Sequence, residues 1–493
     1  MTKMKNRITI LLLLSTLCVY GQAPFDQSNI SKATNKAVKK IEQVNMLMGS
    51  AVGYAGERPK QYDNFEKLKE KASTEELKAL TNHPNPTVRC YAFWALSHDH
   101  SVDLFPIIMD HINDDEMVST QFGCIGYAQQ VGDFFIGVVT PNLIDLDSKK
   151  LDSLQLVTRD SILIYTSNET YAKSVAIRNA EPTAQLYPKL RALVTAHNDQ
   201  EALVSLAKYQ KEQDIELILN NRAESPFKEG GFFHTYRAIS HFPHPHFLPL
   251  LEKNLQKTLN NTHYSTEWRE LYKAIASYKN DKAVSLLQVP FTKVKHEDMK
   301  PYQLKFAYGA IQAFSAPIYD DLFWQFWAEE QMITPDIFEY LSGIAPEKAY
   351  ALTKESLEQA GVFHLAVSTL IDEDYDAPEQ LTVTMLNLVL EKDKAYGIEI
   401  IRKNLKTVHM HIFPVFADKA AELKDQSFIA PLFERLETAD NGHVFFNAAK
   451  ALIAYQNAEI NQRILDTKMI NPELNEGWGG KALDELLEEH GIN

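Results

Sequence analysis

The feature that most constrains this chain is a spaced signature: a small residue, then Leu or Ile, two further residues and an aromatic ring. It occurs as Ser205-Leu206 with Tyr209, Ala238-Ile239 with Phe242, Ala274-Ile275 with Tyr278, and Ala310-Ile311 with Phe314, at intervals of 33, 36 and 36 residues. It returns at Ala451-Leu452 with Tyr455. Each of the first four copies is followed by a short polar break and a second apolar stretch: Ile215 to Leu219, Phe247 to Leu251, Ala283 to Leu287 and Ile318 to Trp327. Self-similarity at a period of about 20–50 residues marks chains built from stacked supersecondary units. The unit here reads as two antiparallel helices, each pair burying its apolar face on the next.

Leu80 to Leu96 is the clearest first helix of the series. Pro84 and Pro86 can open a helix, because the ring presets φ and a first-turn N–H has no helical partner. Val88, Ala92, Ala95 and Leu96 then fall at i, i+4, i+7 and i+8 on one stripe, where two alanines admit a close neighbour. Val444, Ala448, Ala451 and Leu452 repeat that spacing 356 residues later, or ten steps of about 36. The Pro-x-Val-Arg-x-x-Ala-x-x-Ala-Leu pattern at Pro86 resembles the first helix of a HEAT-type repeat. The resemblance implies an all-α fold, a right-handed α-solenoid of about ten HEAT-like helix pairs over residues 76–490, with a concave surface for a protein or peptide partner. It implies no catalytic activity and no cofactor. The pattern departs from that family in two ways. The units are shorter than the usual ~40–47 residues, and His83 or Asn85 stands where an acidic residue often precedes the Val-Arg pair, which puts an Asp–Arg ladder through Arg89 in doubt. The signature fades between residues 315 and 440, and residues 145–170 read as an insertion or a degenerate repeat.

Residues 1–21 have the layout of a secretory signal peptide: Lys3, Lys5 and Arg7, an apolar run from Ile8 to Val19, and a cut after Gly21. That places the protein in the periplasm or outside the cell. A lipid-bearing Cys18 would want a small residue before it, and Leu17 is bulky. The apolar run is too short to span a bilayer, and no later run reaches the ~20 residues a membrane span needs. Asp152-Ser153-Leu154 and Asp160-Ser161-Ile162 match the short O-glycosylation motif of Bacteroidota, which agrees with export. Removing residues 1–21 takes away three cations and no acid, so the net charge moves from −15 to −18. Such a surface repels phosphates and excludes nucleic acid as a partner.

Residues 22–75 read as a polar lead-in followed by helices, the first running from Ala37 through Ile41, Val44 and Leu47. Met48 to Gly56 contains three glycines but no following Gly-Lys-Ser/Thr, so it reads as a close-packed helix segment or turn and not a phosphate loop. Cys90 and Cys124 lie 34 residues apart, about one repeat. Equivalent positions on stacked helices sit ~8–10 Å apart, and a disulfide needs Cα atoms within ~7 Å, so two buried free thiols are expected.

Few constellations suggest chemistry. His241, His244 and His246, with His234 before them, have the short spacing of a Zn²⁺ or Cu²⁺ site; a metal-binding protein or metal-dependent enzyme is the alternative reading. The plainer account places these His-Pro dipeptides at the start of second helices. Asp372, Asp374 and Asp376 resemble half a calcium loop, but Ala377 replaces its glycine and Val383 its closing glutamate. There is no Gly-x-Ser-x-Gly and no His-Glu-x-x-His. The most suggestive surface is aromatic: Tyr319, Phe323, Trp324 and Trp327 span an arc wider than the ~100° stripe one packed face requires. Part of that area is expected to reach a groove and bind a basic or amphipathic peptide. The expectation from sequence is therefore an extracytoplasmic interaction scaffold without catalytic activity.

Overall fold

The computed structural model describes residues 25–223, 231–372 and 374–492. The expected signal segment, Cys18 and Glu373 lie outside them. The chain divides into two compact units, Met1–Arg222 and Ala223–Asn493, both mostly helical. No helix among the described residues is long and apolar enough to cross a membrane.

In the carboxy-terminal unit the two-helix module is plain. Phe233–His241 is followed by Leu248–Thr258, Glu267–Ala276 by Asp281–Leu287, and Lys300–Ala313 by Asp320–Glu330. The first helices of these pairs stack on one another. Ala238, Ala274 and Ala310 are buried at their contacts, together with Ile239, Ile275 and Ile311, and a small residue at the crossing lets two helices approach.

The aromatic position of the signature does more than fill space. The Tyr278 hydroxyl donates to the His244 carbonyl at 2.6 Å, and that of Tyr455 to the Asp425 carbonyl at 2.7 Å. In the amino-terminal unit the Tyr209 hydroxyl donates to the Thr183 carbonyl at 2.8 Å, and Ser205 Oγ to that of Ile177 at 2.6 Å. Each bond gives a further donor to a carbonyl from an earlier stretch of chain that already accepts a backbone N–H, and so ties the two stretches together. Burial pushes the Tyr455 phenol up to about 12, so it stays a donor at any physiological pH.

The amino-terminal unit opens with helix α1 (Lys32–Val44), strand β1 (Leu47–Val52), helices α2 (Lys60–Lys71), α3 (Thr74–Leu80), α4 (Pro86–Ser97) and α5 (Phe105–Asp110), strands β2 (Met117–Gly123) and β3 (Ile125–Gln130), and helix α6 (Val131–Val139). α4 is the signature helix. Asn85 caps it by accepting from the Val88 N–H, and Pro86 takes the first turn. Every residue from Thr87 to Ser97 is buried, because α1, α2, α3, α6 and two strands surround the helix. A helix apolar on all sides belongs in such a place. Arg89 is its one buried charge, and its partners come after the helix: Asp114 at 3.0 Å and Glu116 at 2.6 Å, with the His83 carbonyl accepting at 2.9 Å. The acidic partner absent before Val88-Arg89 is thus supplied from the segment that leads into β2.

The sheet is a departure from the sequence reading. β1 pairs in parallel with β2, and β2 pairs antiparallel with β3, in the order β1-β2-β3. Met48 to Val52 is strand and not helix or turn. α1 stops at Asn45 in a left-handed conformation (φ 51°), and Gly49 lies so close to Phe122 that an added Cβ would sit 2.9 Å from the ring. Cys124 consequently falls in the β2–β3 turn and is exposed, while Cys90 is buried; both thiols are free. The two cysteines do not occupy equivalent helix positions. The ambiguous stretch 145–170 contains an irregular segment and then the helix Ser153–Tyr165, started by an Asp152–Gln155 capping box.

Candidate functional site

At the end of α4 the buried Trp94 and the following His98 meet the same carboxylate. Trp94 packs its ring against Phe65 at 4.6 Å and Tyr62 at 6.0 Å between centroids, and Phe122 from β2 closes the other side at 6.1 Å. Its indole N–H donates to Asp145 Oδ2 at 2.6 Å, and His98 Nε2 lies 3.0 Å from the same oxygen. Asp145 Oδ1 accepts the Asp147 backbone N–H at 2.9 Å. Burial alone would raise the Asp145 pKa. The Trp94 indole, the Asp147 amide, His98 and the Lys150 ammonium outweigh it and hold this carboxyl below the usual range.

Together these groups wall a cleft of about 490 Å³, lined by the Tyr62, Trp94 and Phe122 rings and by the Asp145–Asp147 segment. Charges of both signs reach it. Arg58 lies 4.8 Å over the Tyr62 ring and is paired with Asp63 at 2.8 Å, and Lys69 is paired with Glu66 at 3.1 Å. Burial and the nearby charges of Glu66 and Asp145 push the Tyr62 phenol up, so it remains a hydrogen-bond donor. Gly49 and Ser50, at the irregular part of β1, complete the lining. Ser50, His98 and Asp145 therefore share one cleft, yet among the described residues no hydrogen bond joins Ser50 to His98. The nucleophile–base contact that acyl transfer requires is not assembled.

The residues singled out from sequence lie elsewhere. Tyr319, Phe323, Trp324 and Trp327 are buried, none more than 7% exposed, so the expectation that this arc opens on a groove is corrected. The Tyr319 hydroxyl donates to the Ala276 carbonyl at 2.6 Å, and Trp327 Nε1–H to Ser356 Oγ at 2.9 Å. Phe323 packs edge-on to Tyr308, Trp324 and Trp327 stack at 5.9 Å, and Phe338 meets Trp327 edge-on. The ~100° rule describes a helix with one packed face. Asp320–Glu330 has neighbours on several sides, which is why a wider arc is core.

His244 and His246 do come together, with rings stacked at 4.9 Å and Nδ1 atoms 3.1 Å apart. His244 uses its ring to cap the turn that starts the next helix. Neither His241 nor His234 joins them: among the described residues no three His, Cys, Asp or Glu side chains are grouped to hold a metal ion. Asp372 is taken up by an ion pair with Lys305.

Sequence reasoning passed over Trp94, His98 and Asp145. One signal was present: Trp94 lies far around α4 from the Val88, Ala92, Ala95 stripe, at 100° per residue, so it was free to serve something other than stacking. Asp145 gave no signal, because only the fold brings it back to α4. Compared with known proteins, the chain matches no family model, no curated relative and no solved structure.

Proposed function

We propose that this chain is an extracytoplasmic, non-enzymatic scaffold built of HEAT-like helix pairs, and that it holds a short peptide segment of a partner protein in the cleft at the end of α4. The observation that carries the reading is the anchoring of Asp145. Two hydrogen bonds, from the Trp94 indole and the Asp147 amide, fix its carboxylate, His98 Nε2 lies 3.0 Å from it, and the aromatic rings beside it are locked by their own packing. A cleft that is set before the ligand arrives saves the ordering cost of binding. Its rings offer apolar area, and Arg58, Lys69, Glu66 and Asp147 offer both signs of charge at the rim, where charge selects partners. Among the described residues the metal-site alternative has the His244–His246 pair in its favour and no third ligand grouped with it.

Selection of peptides from a random display library on the purified protein tests this. Binders are expected to compete for one site and to weaken by more than about tenfold on Tyr62→Ala or Asp147→Lys. Peptides indifferent to both substitutions would place the site elsewhere. Labelling of Ser50 by a fluorophosphonate probe would overturn the non-enzymatic reading. Amino-terminal sequencing of the exported protein is expected to begin at Gln22.

A further inference from the structure

We propose that the outer edge of β3 is a dimerisation surface, on which the same strand of a second copy pairs antiparallel about a two-fold axis at Ala128. β3 ends the sheet order β1-β2-β3, and among the described residues no backbone group outside the sheet bonds to Gly126 or Ala128. The turn fixes which groups are bare. Gly123 has φ 58°, as the first central position of a type II′ turn requires, so the flanking pair Phe122 and Ile125 exchanges hydrogen bonds. The pattern alternates from there. It turns the N–H and C=O of Gly126 and Ala128, and the N–H of Gln130, away from β2.

The opposite edge of the same sheet is closed. The Met48 N–H donates to the Tyr91 hydroxyl at 2.7 Å and the Met48 carbonyl accepts from it at 3.1 Å, while Val52 exchanges two bonds with Glu57 at 2.9 Å each. Natural sheets blunt their edges with caps, bulges, charges or proline. β1 has a cap and a register irregularity. β3, reading Ile-Gly-Tyr-Ala-Gln-Gln, has no charge and no proline, and it leaves Ile125 69% and Tyr127 48% exposed.

A second copy is the occupant this edge fits. Copies of a chain with net charge −15 repel one another, so the contact that joins them must add no like charges of its own, and the uncharged β3 meets that condition. A charged peptide would find no counter-charge on the strand. The edge is also self-complementary, as a two-fold interface must be. Pairing about Ala128 lets that residue exchange two bonds with its own copy, and sets the Gly126 carbonyl opposite the Gln130 N–H of the second chain.

Two measurements test the proposal. Sedimentation equilibrium of the full chain is expected to show a dimer. Ala128→Pro removes the two donors at the axis without touching a β2 bond, and should weaken association by at least about tenfold. In a Cys124→Ser background, Ala128→Cys should form an intermolecular disulfide in glutathione buffer, because hydrogen-bonded antiparallel pairs have Cα atoms ~5.5 Å apart. Ala51→Cys, also exposed but on β1, should form no intermolecular disulfide. Circular dichroism checks that Ala128→Pro folds; if it does not, the cysteine pair decides alone. A monomeric wild type that Ala128→Cys cannot cross-link, equal cross-linking at positions 51 and 128, or a dimer indifferent to a folded Ala128→Pro would each overturn the proposal.

Discussion

Trp94 and Trp327 are both almost fully buried, at 4% and 0% exposure, and each donates its indole N–H to a side-chain oxygen. What separates them is the acceptor. Trp327 meets a neutral Ser356 hydroxyl inside the carboxy-terminal unit, itself donating to Gln331 at 2.8 Å, and the chain of bonds ends in core. Trp94 meets a carboxylate on the wall of an open cleft. Burial of a ring says little about function by itself; the charge state and position of its hydrogen-bond partner say more.

The largest expected effect tests the structural side of this contrast. Trp327→Ala empties a site ringed by Trp324, Phe338 and Ser356, and should cost about 3–5 kcal/mol in urea unfolding followed on the carboxy-terminal unit. A loss below about 1 kcal/mol would mean that the ring is not the core element its contacts make it.

Next comes one substitution at two places. Trp→Phe removes similar volume at both sites, so the difference between them isolates the N–H. At position 94 it deprives a partly buried carboxylate of a donor, worth about 1.5–3 kcal/mol, whereas at position 327 a neutral bond worth about 0.5–1.5 kcal/mol is lost. Trp94→Phe should also raise the Asp145 pKa, visible in the carboxyl chemical shift against pH, since the indole is the foremost group holding it down. Equal stability losses and an unmoved Asp145 would erase the distinction between the two tryptophans.

The same contrast marks what can be read from a sequence. Helix pairs, their apolar stripes and the small residues at their crossings recur at fixed spacing, so local pattern and packing agree, and the helices at 233–241, 267–276 and 300–313 fall where the signature predicts them. The sheet does not recur. β1 joins β2 across about 70 residues, and neither strand's composition separates it from a short buried helix, which is why Met48 to Val52 was misread. The cleft was invisible for a related reason: Trp94 sits on α4, His98 just past its end and Asp145 on a later irregular segment, so the site exists only after the chain returns. The aromatic stretch from Tyr319 to Trp327 was legible as rings, but its function was read from an arc that assumes one neighbour.

A smaller effect probes the interior of each unit through pH. His83 in the amino-terminal unit and His364 in the carboxy-terminal unit are buried, and burial lowers both pKa values, against the opposing pull of Glu42 and Glu379. His411 and His409 act on His364 in the same direction as burial. A histidine whose folded pKa is lowered binds fewer protons folded than unfolded. Its contribution is therefore complete above the unfolded value of about 6.5 and is lost as pH falls toward the folded value. Stability should fall below pH ~6.5 with a slope of at most about 1.4 kcal/mol per unit for each histidine. His364→Phe should flatten that slope only for the carboxy-terminal unit, measured as urea midpoint against pH; an unchanged slope there would show that His364 does not carry it.

The smallest expected effect concerns the ring of the repeat signature. Phe242 and Phe314 occupy the position that Tyr209, Tyr278 and Tyr455 hold in other copies, so stacking alone does not demand the hydroxyl. Tyr278→Phe keeps the ring and leaves the His244 carbonyl without that donor, at a cost of about 0.5–1.5 kcal/mol. Tyr455→Phe should do the same for Asp425. Because the bonds lie far apart in the chain and share no partner, the double substitution should cost the sum within about 0.5 kcal/mol. A clear excess over the sum would show that the repeats of the carboxy-terminal unit pass strain from one to the next, and that the hydroxyls stitch an array that yields as a whole.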